Sequence, residues 1–188
     1  IYTKGIVFSS SNLINSFTEI HSAEHKILIE KVKKNYDFLK VQSLIENLKK
    51  LKVLVIGETI IDEYVFCNAL GKSGKEPMLV LGDIKTEKYL GGAAAISRHL
   101  SSFCNKITLL SMIGEKKEYL KEIKKNLPSN VRFDYIKKKD SPTIVKKRFL
   151  DHVTNNKILG VYKINYNPLI QRDEKIFIKK QKKLLPKY

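Results

Sequence analysis

The chain has 188 residues, 43% of them hydrophobic, and carries a formal net charge of +17. That length suits one domain of ordinary size, and that apolar share excludes wholesale disorder. No apolar run is long enough for a transmembrane helix, and the first residues lack the apolar core and cleavage site of a secretory signal.

Charge at this level brings nucleic acid, acidic membranes and phosphorylated ligands into consideration. The lysines, however, are spread over polar helix faces and turns, from Lys31, Lys33 and Lys34 to Lys179, Lys180, Lys182 and Lys183. No stacking aromatics interleave them, so solvated faces are expected, with neither nucleic acid nor a membrane as partner. Cys67 and Cys104 stand far apart without ligand spacing, which predicts reduced thiols and a cytoplasmic location. His21, His25, His99 and His152 show no metal-ligand spacing, and no metal site or other role is expected of them.

In chain order, residues 1–20 pass from an apolar piece (Ile6, Val7, Phe8) into Ser9, Ser10 and Ser11. Hydroxyls at a helix start cap exposed N–H groups and can hold phosphate there; the same three serines also read as an ordinary cap. Residues 22–50 predict helix, with Ser22 as N-cap and a break at Asn35, Tyr36 and Asp37. The spacing of Val41, Leu44, Ile45 and Leu48 marks an apolar face. Residues 21–50 are thus a helical linker that packs and carries no chemistry.

A domain over 51–188 follows. Val53, Leu54, Val55 and Ile56 form a buried strand, and residues 58–62 carry the chain off its end to Asp62. Two short strands, at 64–66 and 78–81, flank a turn-rich segment and lie outside the main sheet. Gly91 and Gly92 open a helix over 93–103, a strand at 106–113 closes on Gly114, and an amphipathic helix over 115–127 stops at Pro128. Strands at 131–136, 143–150 and 158–164 precede a Lys-rich helix from Asp173. Strands alternating with helices predict an α/β fold with a mainly parallel sheet. Ligands of such sheets sit outside the carboxyl ends of the strands, which makes Asp62 and the glycine pair a candidate grip for a polyhydroxylated ligand.

Several pieces, in order, carry a family resemblance. They are Val53-Leu54-Val55-Ile56-Gly57 with Asp62, Lys75-Glu76-Pro77 before Met78-Leu79-Val80, Gly91-Gly92-Ala93-Ala94, Gly114, and Ser141-Pro142-Thr143 with Lys146 and Arg148. From residue 52 to about residue 166 the chain resembles the N-terminal half of the PfkB-type, ribokinase-like carbohydrate kinases, above all their heptose-phosphate kinase branch. That branch is often fused to a cytidylyltransferase-like domain, and residues 1–20 resemble the end of one. The resemblance implies a ribokinase-like sheet with flanking helices and a small β lid, incomplete at its C-terminus. It implies ATP-dependent phosphorylation of a sugar or sugar phosphate, with ATP and Mg2+ serving the complete domain, and a homodimer through the lid.

The same resemblance makes Asp62, Gly91, Gly92, Lys146 and Arg148 substrate-binding residues. Asp62 would accept from two sugar hydroxyls, the glycines would let backbone approach the sugar, and Lys146 and Arg148 would meet a phosphate. Each also has an ordinary reading: a turn acid, a helix start, a solvated strand face. The catalytic base and anion hole are expected beyond residue 188, so no catalytic residue is assigned and the chain alone is expected to show no turnover. The Ile start likewise points to a fragment. Two departures stand out: Ala95 replaces the usual Asn, and Cys104 a usual Gly or Ser. The alternative to a kinase portion is a non-catalytic remnant or interaction module that keeps the fold.

Overall fold

The computed structural model describes residues 22–188; the serines Ser9, Ser10 and Ser11, His21 and the rest of the expected 1–20 tail lie outside them. The chain divides into two units, residues 1–45 and 46–188. Ser22 caps α1 (Ala23–Asn35) by accepting the His25 N–H at 3.3 Å. Asp37 does the same for α2 (Phe38–Leu48), its Oδ1 accepting the Lys40 N–H at 2.7 Å. Each such cap stabilises its helix by about 1 kcal/mol, and the expected break falls between them. No residue of either helix is buried.

The second unit runs β1 (Lys52–Ile56), β2 (Thr59–Lys72), β3 (Leu79–Gly91), α3 (Gly92–Leu100), β4 (Lys106–Gly114) and α4 (Leu120–Asn126). It continues with β5 (Val131–Lys138), β6 (Ile144–Asp151), β7 (Lys157–Lys163), α5 (Gln171–Leu184) and a 3-10 turn (Leu185–Lys187). β1, β4 and β5 form a parallel sheet in the order β1-β4-β5. β4 is its centre and is buried almost throughout, as a strand covered on both faces must be. Ile107, Leu109 and Ile113 turn one way, into a core with Ala93 and Ala94 of α3 and Ile123 of α4. Thr108 turns the other way, and its hydroxyl meets that of Tyr188. Each fully buried Ile or Leu contributes about 1.5–3 kcal/mol, so this layer anchors the start of α3 firmly.

The expected α/β architecture, a parallel sheet flanked by helices, is present; the lid is larger than expected. The second sheet has the order β3-β2-β6-β7, with β2 and β6 parallel and the outer pairs antiparallel. Instead of two three- or four-residue strands, β2 has 14 residues and β3 has 13. The reason is a period of two that starts earlier than the apolar run suggests. Thr59, Ile61, Glu63, Val65 and Cys67 all turn inward and are buried. Residues 59–62, expected as an excursion, therefore belong to a strand. β6 and β7 join this sheet rather than the parallel one because β6 hydrogen-bonds along β2 from Ile144 opposite Ile60 to Asp151 opposite Cys67.

Both sheets are stitched together at one end of β4. Thr59 Oγ1 and Ser111 Oγ are 2.8 Å apart, the Gly114 N–H donates to Thr143 Oγ1 at 3.0 Å, and the Glu115 N–H donates to the Ser141 carbonyl at 2.9 Å. Those bonds fix the start of β2 and the start of β6 relative to the parallel layer.

Candidate functional site

The site lies where β2, β3 and the start of α3 meet. Alternation turns Asp62 and Tyr64 to the face of β2 opposite buried Ile61 and Val65. Pairing then sets their neighbours. Asp62 stands opposite Tyr89 and Lys146, and Tyr64 stands opposite Glu87 and Arg148. Arg148 reaches diagonally across the sheet, and its Nη1 donates to Asp62 Oδ1 at 2.5 Å. The two side chains are only 18% and 22% exposed. The guanidinium also lies 5.5 Å from the Tyr64 ring centroid and 5.8 Å from that of Tyr162, close enough for cation–π attraction to both. Its hydrogen bond to Asp62 holds Arg148 above even its ordinary pKa, so it is a permanent cation.

The other carboxylate oxygen faces the glycine pair. A Cβ on Gly91 would overlap Asp62 Oδ2, so only glycine admits the carboxylate this close to the backbone. Gly92 is needed for a second reason. Its φ is +58°, and a Cβ there would overlap the Glu58 carbonyl oxygen, which accepts the Ala93 N–H at 2.9 Å. The carboxylate is thus lodged against the first turn of α3, with one oxygen engaged by Arg148.

Asp62 lines a hollow of about 680 Å³ with Tyr64, Tyr89, Ala95, Arg98, His99 and Ser102. Tyr64 and Tyr89 meet edge-on, with centroids 5.8 Å apart. Tyr89 is oriented by Glu87, whose Oε2 accepts its O–H at 2.6 Å while Oε1 accepts from Lys85 at 2.7 Å. Lys85 first, and then Tyr89, hold the Glu87 carboxyl below its ordinary value, and Glu87 pushes the Tyr89 phenol up. Tyr89 therefore stays protonated. One fixed carboxylate, two aromatic walls and a basic turn make a cavity suited to a polyol that carries both hydroxyls and an apolar face.

Of the residues expected to bind substrate, the structure brings Asp62, Gly91, Gly92 and Arg148 together. Arg148 is engaged with Asp62 through Nη1. Lys146 turns into a neighbouring hollow with Glu58, Lys138, Tyr162 and Asn165, its Nζ 5.9 Å from the Tyr162 ring centroid. Sequence reasoning passed over Tyr64, Tyr89, Arg98 and Ser102 and expected no role of His99, and all five line the site. Strand spacing from Asp62 gives Tyr64, and helix spacing from Ala95 gives Arg98 and His99.

Among the described residues, no group of three or more His, Cys, Asp or Glu is placed to hold a metal ion. Cys67 and Cys104 are free and buried, and burial, reinforced by Asp83, pushes the Cys67 thiol up. No helix among the described residues is long and apolar enough to cross a membrane.

No protein-family model matches this chain. Among curated proteins, the bifunctional protein HldE of Campylobacter jejuni serotype O:6 is 28% identical over 128 residues, which cover 68% of this chain and 26% of that protein. The D-beta-D-heptose 7-phosphate kinase of Bordetella bronchiseptica is 28% identical over 105 residues, covering 56% of this chain and 34% of that one. Among solved structures, the ribokinase of Cryptococcus neoformans in complex with ADP is 19% identical, with a TM-score of 0.42 over 62% of this chain and 36% of that one. The chain spans about a quarter of the length of the first HldE relatives and about a third of the heptose kinase.

Proposed function

We propose that residues 52–166 form the sugar-gripping portion of an ATP-dependent carbohydrate kinase acting on a heptose phosphate or a similar sugar, a reading supported by the similarity to the D-beta-D-heptose 7-phosphate kinase. The observation that carries this reading is the Asp62 carboxylate, seated against Gly91 where α3 begins and facing the hollow. Oδ2 accepts from sugar hydroxyls, while Arg148 fixes the carboxylate through Oδ1. Tyr64 and Tyr89 wall the sugar ring. Lys146, in the neighbouring hollow, takes a more distant part of the substrate.

Phosphoryl transfer needs a base for the attacking hydroxyl and a cradle for the donor phosphates. Among the described residues, Asp62 is the only carboxylate lining this hollow, and in this reading it is committed to the sugar. The described residues offer no cluster for Mg2+. ATP and Mg2+ therefore belong to the proposal for the whole protein, and no step is assigned to them here. Free, buried thiols suit a reducing compartment, consistent with a cytoplasmic kinase. The exposed apolar residues Leu70, Met78, Leu79 and Ile84 on the β2–β3 arm suit the lid-mediated homodimer.

The test is calorimetric titration of the full chain with heptose 7-phosphate, beside Asp62→Asn. Asn keeps the shape and replaces one acceptor oxygen with a donor, so at least tenfold weaker binding is expected. Equal affinity in the two proteins would remove Asp62 from the site.

A further inference from the structure

We propose that Arg98, assisted by His99, is the specificity-determining residue for a phosphate on the substrate, which makes this hollow selective for sugar phosphates over free sugars. The inference rests on the sugar-site reading above and adds the place where the anion sits.

Three observations point there. Arg98 and His99 line the same hollow as Asp62, on the turn of α3 that follows Ala95. Ala95 offers no polar group, so the polar contribution of this helix to the cavity comes from that turn. Among the described residues, the Arg98 side chain has no hydrogen bond or ion pair. Arg148 and Arg172 are instead joined to carboxylates; Arg132 is likewise unpaired among the described residues, but it lines a different hollow, beside α5. A guanidinium presents a planar fork of donors that matches two oxygens of a phosphate, and an imidazole beside it adds a further donor.

The charge layout also fixes which way a ligand lies. Asp62 repels a phosphate, so the anion cannot share its corner. Arg98 lies six residues beyond Gly92 along α3, about 9 Å at the rise of an α-helix. A sugar phosphate spans that distance, with hydroxyls at Asp62 and its phosphate at Arg98. Lys146 and Arg148, expected from the sequence to meet the phosphate, are turned to the next hollow and to Asp62 respectively. Arg98 and His99 are exposed, so they bind anions at little desolvation cost, and salt weakens the contact.

The experiment titrates the full chain with heptose 7-phosphate and with the same heptose lacking the phosphate. It uses the unaltered protein, Arg98→Ala, Arg98→Lys and Asp62→Asn, each checked for fold by circular dichroism. The unaltered chain should favour the phosphorylated sugar at least tenfold. Arg98→Ala should reduce that preference below about threefold by weakening the phosphorylated sugar more than the free one, while Arg98→Lys should keep part of it. Asp62→Asn should weaken both sugars alike. A full phosphate preference in Arg98→Ala overturns the assignment while leaving the sugar site standing. Failure of the unaltered chain to bind either sugar overturns the site reading and this inference with it.

Discussion

Replacing Arg148 with Met asks whether Asp62 is held in place or merely near. Met retains an apolar stem against Tyr64 and Tyr162 and deletes the guanidinium. The bond lost is charge-assisted, and such bonds contribute about 1.5–3 kcal/mol. Exposed ion pairs are worth only about 0.2–1 kcal/mol, but these side chains are 18% and 22% exposed, so the larger range applies. A loss near 2 kcal/mol follows, and with a urea slope of about 2 kcal/mol/M the unfolding midpoint falls by about 1 M. Because Met changes apolar contacts as well, the informative assay is a double-mutant cycle. Arg148→Met, Asp62→Asn and the double variant are each unfolded in urea and followed by far-ultraviolet circular dichroism. The cycle should return a coupling of about 1–2 kcal/mol, little reduced by added salt. Coupling below about 0.5 kcal/mol, or coupling abolished by salt, would refute a carboxylate fixed by its partner.

Gly91→Ala places a methyl where Asp62 Oδ2 lies, so the carboxylate must rotate and abandon Arg148. Its stability loss should match that of Arg148→Met, and the two losses should not add in the double variant; additive losses in urea would show that the clash is relieved elsewhere. Gly92→Ala should cost at least about 1–2 kcal/mol for the left-handed backbone alone, with Gly92→Asn milder than Gly92→Ala in thermal unfolding. Asp173 offers a pH test, since it is 2% exposed. Burial pushes its carboxyl up, but the Lys139 N–H at 2.9 Å and the Arg172 side chain outweigh burial and hold it below its ordinary value. A depressed carboxyl stabilises the fold above its unfolded pKa, about 3.9, and that stabilisation is lost as pH falls through the folded value. The stability gap between the unaltered chain and Asp173→Asn should therefore be widest near neutral pH and shrink below about pH 4. A gap that does not change with pH would contradict this.

How much of the fold was legible follows from how local each signal is. The strand at Val53, Leu54, Val55 and Ile56, the break near Tyr36 and the glycine pair before Ala93 each depend on a few adjacent residues, and all were readable. The length of β2 was not. Its outward positions, Asp62, Tyr64 and Asn68, interrupt the apolar run, and only the buried set of Thr59, Ile61, Glu63, Val65 and Cys67 reveals the period. Glu63 hides that period further: it is an acid in an inward place, tolerated because Lys147 and Lys88 approach it at 3.4 and 3.8 Å. β6 and β7 were legible as strands but not as members of the second sheet, since sheet membership is decided by pairing between distant segments.

The site shows the same division at finer grain. Asp62 and Gly91 are 29 residues apart, yet an acid past a strand and a glycine pair before a helix are each local marks, and the β2–β3 register brings them together. The role of Arg148 could not be read this way, because it depends on a diagonal reach across a parallel pair 86 residues apart in sequence. A one-residue slip in that pairing would turn Arg148 to the opposite face of the sheet and present Lys147 to Asp62 instead. Lysine is a single ammonium without the planar fork that lies against Tyr64 and Tyr162, so the slipped register would hold the carboxylate less rigidly. The stitches between Gly114 and Thr143 and between Glu115 and Ser141 exclude that slip by fixing where β6 begins. The placement of the Asp62 carboxylate is thus set from the far end of β4, by bonds that touch no part of the hollow.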